Sequence, residues 1–210
     1  MSSSHTSSSS HGNKGVHDHD TTTHETVTLR PQEELRFEVS SDETLTLTLK
    51  NGNAEIFGAE LAVSHPYRFI SGTKLACFTY QGATIQLTIS HPSSAGAKSS
   101  SFYTATDTPM NQYMELHMSL EEQRNRATAQ IQQQQQPSPQ QTLAETSKLE
   151  LRNVVRGPRV MIVGPTDSGK SSLSKILLNY ATRMGHGLLF VDLDVGQGQI
   201  TIPGVMAVAE

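Results

Sequence analysis

Gly164-Pro165-Thr166-Asp167-Ser168-Gly169-Lys170-Ser171 sets two glycines, a lysine and a hydroxyl at the G-x-x-x-x-G-K-S spacing of a P-loop, the Walker A motif. The chemistry this pattern serves is phosphate binding. Glycines let the backbone curl until successive N–H groups point inward at phosphate oxygens. The helix that follows adds its partial positive charge. Lys170 is placed to reach the β- and γ-phosphates of a nucleoside triphosphate, ATP or a relative, and the Ser171 hydroxyl to hold Mg2+. Asp167, Ser168, Gly169 and Ser172 complete the expected nucleotide-binding set.

Two acids stand downstream. Leu188-Leu189-Phe190-Val191 is an apolar run that ends in Asp192-Leu193-Asp194. In a parallel β-α-β unit such a strand emerges on the same edge as the P-loop. Asp192 and Asp194 would then lie near the γ-phosphate, able to organise Mg2+ and its water or to accept a proton from an attacking hydroxyl. The plainer alternative is that both acids cap the strand end. Gln197 is placed to orient a ligand or a water. Gly196-Gln197-Gly198 is not a dinucleotide fingerprint, because Thr201 stands where the third glycine would be.

The elements needed to position these groups are visible on both sides of the loop. Arg159 to Val163 reads as a short buried parallel strand. Leu173, Ile176, Leu177 and Tyr180 follow at helical spacing. Further upstream the period falls to two. Val27 and Leu29, Leu35 with Phe37 and Val39, Leu45 with Leu47 and Leu49, and Ile85 with Leu87 and Ile89 alternate with polar residues. Short alternating strands separated by turn signals predict an all-β sandwich or small barrel. Asn51-Gly52 predicts a hairpin turn. Thr108-Pro109 predicts a helix start carrying an apolar stripe of Tyr113, Leu116 and Leu120, with Met110, Met114 and Met118 beside it.

The expected division is a Ser/His-rich disordered tail over 1–24, a β-rich domain over 25–106 and a connecting helix over 107–131. A Gln/Pro-rich flexible linker over 132–156 and a truncated P-loop NTPase domain over 157–210 follow. The fold class is thus an N-terminal all-β sandwich or barrel followed by an incomplete α/β P-loop unit, its first β-α-β. His5, His11, His17, His19 and His24 would suit a metal only if something held them in place, so a polar tail is the simpler reading. With one cysteine, Cys77, the 210 residues allow no internal disulfide and no Cys-based zinc site, which fits a reducing compartment. A formal charge of -4 gives no overall basic field, so any RNA partner must meet a local patch. No stretch approaches the ~20 apolar residues of a membrane span, and no membrane partner is expected.

Three blocks together resemble one family. They are Glu34-Leu35-Arg36-Phe37-Glu38, Ala54-Glu55-Ile56-Phe57-Gly58, and the run from Gly157-Pro158-Arg159-Val160 through the P-loop to Asp194-Val195-Gly196-Gln197-Gly198. The family is the P-loop subunit of the pre-mRNA cleavage and polyadenylation machinery, within the polynucleotide 5′-hydroxyl kinases. The resemblance implies ATP and Mg2+ as ligands, with a β-domain closing over the nucleotide. It implies that Glu34 and Lys74 reach ATP from that domain, although sequence physics alone reads both as exposed strand-edge charges. It also implies nuclear localisation and partners among the other cleavage-factor subunits, including the scaffold subunit that binds the RNA polymerase tail.

Two functions are consistent with it. One is an ATP-holding scaffold required for endonucleolytic cleavage coupled to polyadenylation. The other is an active RNA 5′-hydroxyl kinase, in which Lys170 holds the phosphates and Asp194 acts on the 5′-hydroxyl. An unrelated P-loop ATPase with an N-terminal binding module is a third. Ser172 stands where many members have Thr, and the Gln/Pro insert and Ser/His tail resemble fungal elaborations. After Gly157 the sequence holds little more than one strand–helix–strand unit, which predicts a fragment whose P-loop half has exposed apolar strand edges and binds nucleotide weakly.

Overall fold

A computed structural model describes residues 21–91, 100–134, 156–194, 196, 198–200 and 205–209. The period-two segments fold as two antiparallel sheets packed face to face. The first has the order β1-β8-β3-β6 and comprises β1 (Thr21–Leu29), β8 (Ala83–His91), β3 (Thr44–Gly52) and β6 (Pro66–Ile70). The second has the order β5-β4-β7-β2-β9 and comprises β5 (Ala59–Glu60), β4 (Glu55–Ile56), β7 (Lys74–Thr79), β2 (Glu33–Glu38) and β9 (Ser101–Ala105).

The register puts Leu47 opposite Leu87 and Leu35 opposite Cys77. Alternation then turns Leu29, Leu45, Leu47, Leu49, Ile85, Leu87 and Ile89 inward from one sheet, to meet Leu35, Phe37 and Cys77 from the other. Burial pushes the Cys77 thiol up to about 12, so it is a core residue and not a nucleophile.

The second sheet is covered on both faces. Leu35 and Phe37 of β2 enter the sandwich core, so Glu34 and Arg36, which alternate with them, point the other way. There they meet α1 (Met110–Gln134) and α2 (Lys170–Arg183), and a second apolar cluster forms from Phe78, Met110, Ile176 and Tyr180. The stripe expected in α2 is the one it buries: Ile176, Leu177 and Tyr180 are enclosed and Leu173 is half-buried.

Several local expectations change. β1 begins at Thr21, inside the stretch read as tail, because it pairs along its full length with β8. His24 lies in that strand, with its ring Nδ1 3.1 Å from the Thr88 hydroxyl; His5, His11, His17 and His19 lie outside the described residues. Asn51-Gly52 is not a hairpin turn. It ends β3 against β8, where Gly52 has φ 81° and a Cβ would sit 2.2 Å from the Gly82 carbonyl oxygen. The two-residue hairpin is Phe57-Gly58, between β4 and β5, with both φ positive at 49° and 78°.

The α1 stripe is rotated from the expected one: Leu116 is exposed, while His117 is buried in line with Met110 and Leu120. The helix also runs three residues into the segment read as linker, since glutamine is a good helix former. Residues 135–155 lie outside the described residues.

Around the P-loop the strands differ from a β-α-β pairing. Arg159–Val163 forms no strand, and Val160, Met161 and Val163 are exposed. β10 (Phe190–Asp192) pairs antiparallel with β11 (Ala207–Ala209) and has no parallel neighbour among the described residues. A run that is apolar on both faces holds as a strand only between neighbours and under cover. The described residues supply neither for Arg159–Val163.

Candidate functional site

The P-loop enters α2 through two left-handed residues, Asp167 at φ 60° and Gly169 at φ 81°. This curl turns backbone N–H groups into a concavity suited to an anion. Lys170 folds back over it and donates from Nζ to the Pro165 carbonyl at 2.5 Å. Ser168 Oγ donates to the same carbonyl at 2.8 Å. Ser171 is exposed. The donor set therefore fits a polyphosphate: backbone amides, one ammonium already above the loop, and a helix N-terminus.

Beside the first turns of α2 lies a cavity of about 430 Å³, within the size range of small-molecule sites; Asp167, Ser168, Gly169, Lys170 and Ser171 are not among the residues that line it. Glu34, Arg36 and Lys74 line one wall from the sandwich, and Ser172 and Ile176 of α2 line the other. The structure thus brings Glu34, Lys74 and Ser172 to one space. Glu34 is not an exposed edge charge. It sits on β2, flanked by β7 and β9, and is 5% exposed. Its carboxylate accepts from Arg36 Nε at 2.5 Å and from the Thr108 hydroxyl at 2.8 Å. Thr108 therefore serves Glu34 and not the N-terminus of α1. Lys74 is exposed and pairs with Glu38 at 3.0 Å.

Asp192 and Asp194 are not among the residues that line this cavity. Asp192 is buried, and its carboxylate accepts the backbone N–H of Asp194 at 3.1 Å and that of Gln199. These amide bonds hold its pKa below the usual aspartate value. Asp194 Oδ1 accepts the Gly196 N–H at 3.0 Å. Both acids thus shape the turn after β10. Gln197 lies outside the described residues. No group of three His, Cys, Asp or Glu side chains is gathered for a metal among the described residues. Magnesium would accordingly lean on Ser171, nucleotide phosphates and water, as that ion commonly does.

The chain matches two models of one family. The first, the N-terminal beta-sandwich domain of polyadenylation factor, covers residues 28–127. The second, the mRNA cleavage and polyadenylation factor CLP1 P-loop, covers residues 164–210. This chain belongs to the Clp1 family. A Clp1 homolog of Anopheles gambiae is 42% identical over 179 residues, which is 85% of this chain and 35% of that protein. The polyribonucleotide 5′-hydroxyl-kinases Clp1 of Gallus gallus and Homo sapiens are 40% and 39% identical, with the same coverage. The chain therefore spans about a third of the length of these Clp1 relatives.

Among solved structures, a wild-type Clp1p–Pcf11p complex matches with a TM-score of 0.64 at 23% identity, over 89% of this chain and 36% of that one. A second Clp1p–Pcf11p structure, concerned with ATP loss in a point mutant, matches with a TM-score of 0.63 at 22% identity. Both likenesses carry the fold.

The Ala54-Glu55-Ile56-Phe57-Gly58 block of this Clp1 chain acquires a role that spacing did not show. It is the platform on which α2 sits. Asn179 Nδ2 donates to the Phe57 carbonyl at 2.7 Å, and Arg183 Nη1 donates to Glu55 at 3.2 Å and to the Gly58 carbonyl at 3.1 Å. The signal in the sequence is Phe57-Gly58, a hairpin turn framed by Glu55 and Glu60. Positive φ at a phenylalanine is strained. It is held here by Asn179 and by the Lys175 ammonium, 5.1 Å from the ring.

Helix α1 braces the same helix from the side. His117 packs on the Tyr180 ring at 5.3 Å, and its Nδ1 has no hydrogen-bond partner among the described residues. His186 Nε2 lies 2.8 Å from Glu121. Burial lowers the His117 pKa from the usual 6.5, and the Arg124 charge adds to this; His186 and Arg183 act the same way, while Glu121 opposes. A histidine kept neutral in the fold binds fewer protons than in the unfolded chain, so stability falls as pH drops below 6.5. His117→Leu is expected to flatten the thermal midpoint between pH 7 and pH 5.5. An unchanged slope would show that other groups set it.

Proposed function

We propose that this chain holds ATP, with Mg2+, between the β-sandwich and the P-loop, as the nucleotide-bound component of the nuclear pre-mRNA 3′-end cleavage and polyadenylation machinery. The observation that carries this is the shared cavity: Glu34 and Lys74 from one fold unit face Ser172 and Ile176 of the P-loop helix. A nucleotide there touches both walls, and its binding energy ties them together. ATP then acts as a structural ligand, and the joined surface is presented to another cleavage-factor subunit. The Clp1p–Pcf11p complexes that share the fold support a partner of this kind.

The kinase reading is the alternative. It rests on Lys170, Ser171 and Asp194 all being in place in the sequence, and on the kinase names of relatives. Labelled ATP and 5′-hydroxyl RNA separate the two. Retention of ATP without label on RNA, weakened several-fold by Lys74→Ala, supports the structural ligand. Label on RNA that disappears in Asp194→Asn would establish transfer instead. ATP binding untouched by Lys74→Ala would remove the two-walled site.

A further inference from the structure

The proposed nucleotide site is only as well formed as the alignment of its walls, and that alignment is set far from the P-loop. Helix α2 leaves the loop at Lys170 and is anchored to the sandwich by its last turns. Tyr180 donates its hydroxyl to Glu55, Arg183 pairs with both Glu55 and Glu60, and Asn179 holds the Phe57 carbonyl. The Tyr80 hydroxyl lies 3.1 Å from that of Tyr180 and 3.4 Å from the Met110 carbonyl, which joins α1 to the same knot.

Glu55 is the centre of this knot. It is 5% exposed and lines the cavity together with Phe57 and Ile176. Burial raises its pKa, and the bonds from Tyr180 and Arg183 oppose that rise. A buried carboxylate tolerates few geometries, because losing either donor leaves charge unpaired in a poorly solvated place. The ten residue steps from Lys170 to Tyr180 make a rigid lever about 15 Å long. A small pivot at Tyr180 therefore moves the phosphate loop by about 1 Å relative to Glu34 and Lys74, and displacements of that size are costly in preorganised sites.

We infer that Glu55, through Tyr180 and Arg183, is the positioning residue that sets the distance between the phosphate-binding wall and the sandwich wall of the nucleotide site. This rests on the two-walled ATP reading. It makes a distinction that a merely structural role would not. Inorganic triphosphate engages the P-loop alone, whereas ATP spans both walls.

The test is competition of Mg-ATP and of inorganic triphosphate against a fluorescent ATP analogue, in the wild-type chain and in Tyr180→Phe. The expected result is a loss on the order of ten-fold for ATP with triphosphate within about two-fold of wild type, the size of effect seen when one hydrogen bond to a charge is lost. Arg183→Gln, which leaves the tyrosines intact, should show the same selective loss. It guards against a Tyr180 variant that folds poorly. Equal loss for both ligands would overturn the inference, since it would mean damage to the loop itself. So would an unchanged preference for ATP over triphosphate in both variants, with the two-walled site still standing. A wild-type chain with no preference for ATP over triphosphate would instead remove the two-walled reading, and this inference with it.

Discussion

Lys170→Ala is expected to weaken Mg-ATP binding by about a hundred-fold, the equivalent of about 3 kcal/mol for charge-assisted bonds to phosphate. The ammonium stands over the curled loop and donates to one backbone carbonyl at 2.5 Å. No other cation among the P-loop residues themselves could replace it. Lys170→Arg should recover little, because a forked guanidinium does not fit a site shaped for a point charge. Titration of the wild-type and variant chains with a fluorescent ATP analogue checks both. Binding within three-fold of wild type in Lys170→Ala would mean that the loop is not the phosphate site.

Leu47→Ala is the largest expected effect on stability. Leu47 lies on β3, inside its sheet between β8 and β6, and is fully buried opposite Leu87. Truncating a leucine in such a place costs about 2–5 kcal/mol, because the lost transfer energy is joined by the cavity left behind. For a domain near a hundred residues that lowers the thermal midpoint by on the order of 10–30 °C. Thr46→Ala, one residue away with its side chain on the opposite face of the sheet, should shift it by far less. Similar shifts for the two would contradict the sandwich register. The change at Leu47 acts through the core and not the loop, so it separates loss of the nucleotide by unfolding from loss by chemistry.

The contrast between these two positions shows why the sequence was legible in some places and not in others. The P-loop is a local object. Its glycines, lysine and hydroxyl act through backbone geometry that eight consecutive residues largely determine. The sandwich strands are nearly as local, since alternation of apolar and polar residues is what a half-buried strand must show. Leu35, Leu47, Ile85 and Leu87 could be placed in a core before any fold was known, and they are there.

Glu34 could not. Its burial depends on α1 and α2 covering the outer face of the second sheet, contacts that span well over seventy positions of chain. On a strand with one solvated face, the same alternation would have left it exposed. Asn51-Gly52 and Phe57-Gly58 make the same point about turns. The residue pair that looks right for a hairpin sits where a strand ends, because its neighbours in space are Gly82 and Ala83. The pair that forms the hairpin carries a strained phenylalanine, paid for by contacts from α2.

The apolar runs beside the P-loop are legible only as demand. Arg159–Val163 and Phe190–Val191 ask for a covered, parallel sheet. Among the described residues the first remains unpaired and the second takes an antiparallel partner. Residue order alone was enough for the curl of the P-loop into α2 and for the inward faces of the sandwich, because short-range geometry governs both. The cavity joining Glu34 and Lys74 to Ser172, and the Glu55–Tyr180–Arg183 knot that sets its width, exist only where distant segments meet. Burial and hydrogen-bond satisfaction are properties of that meeting, and no single stretch of the chain contains them.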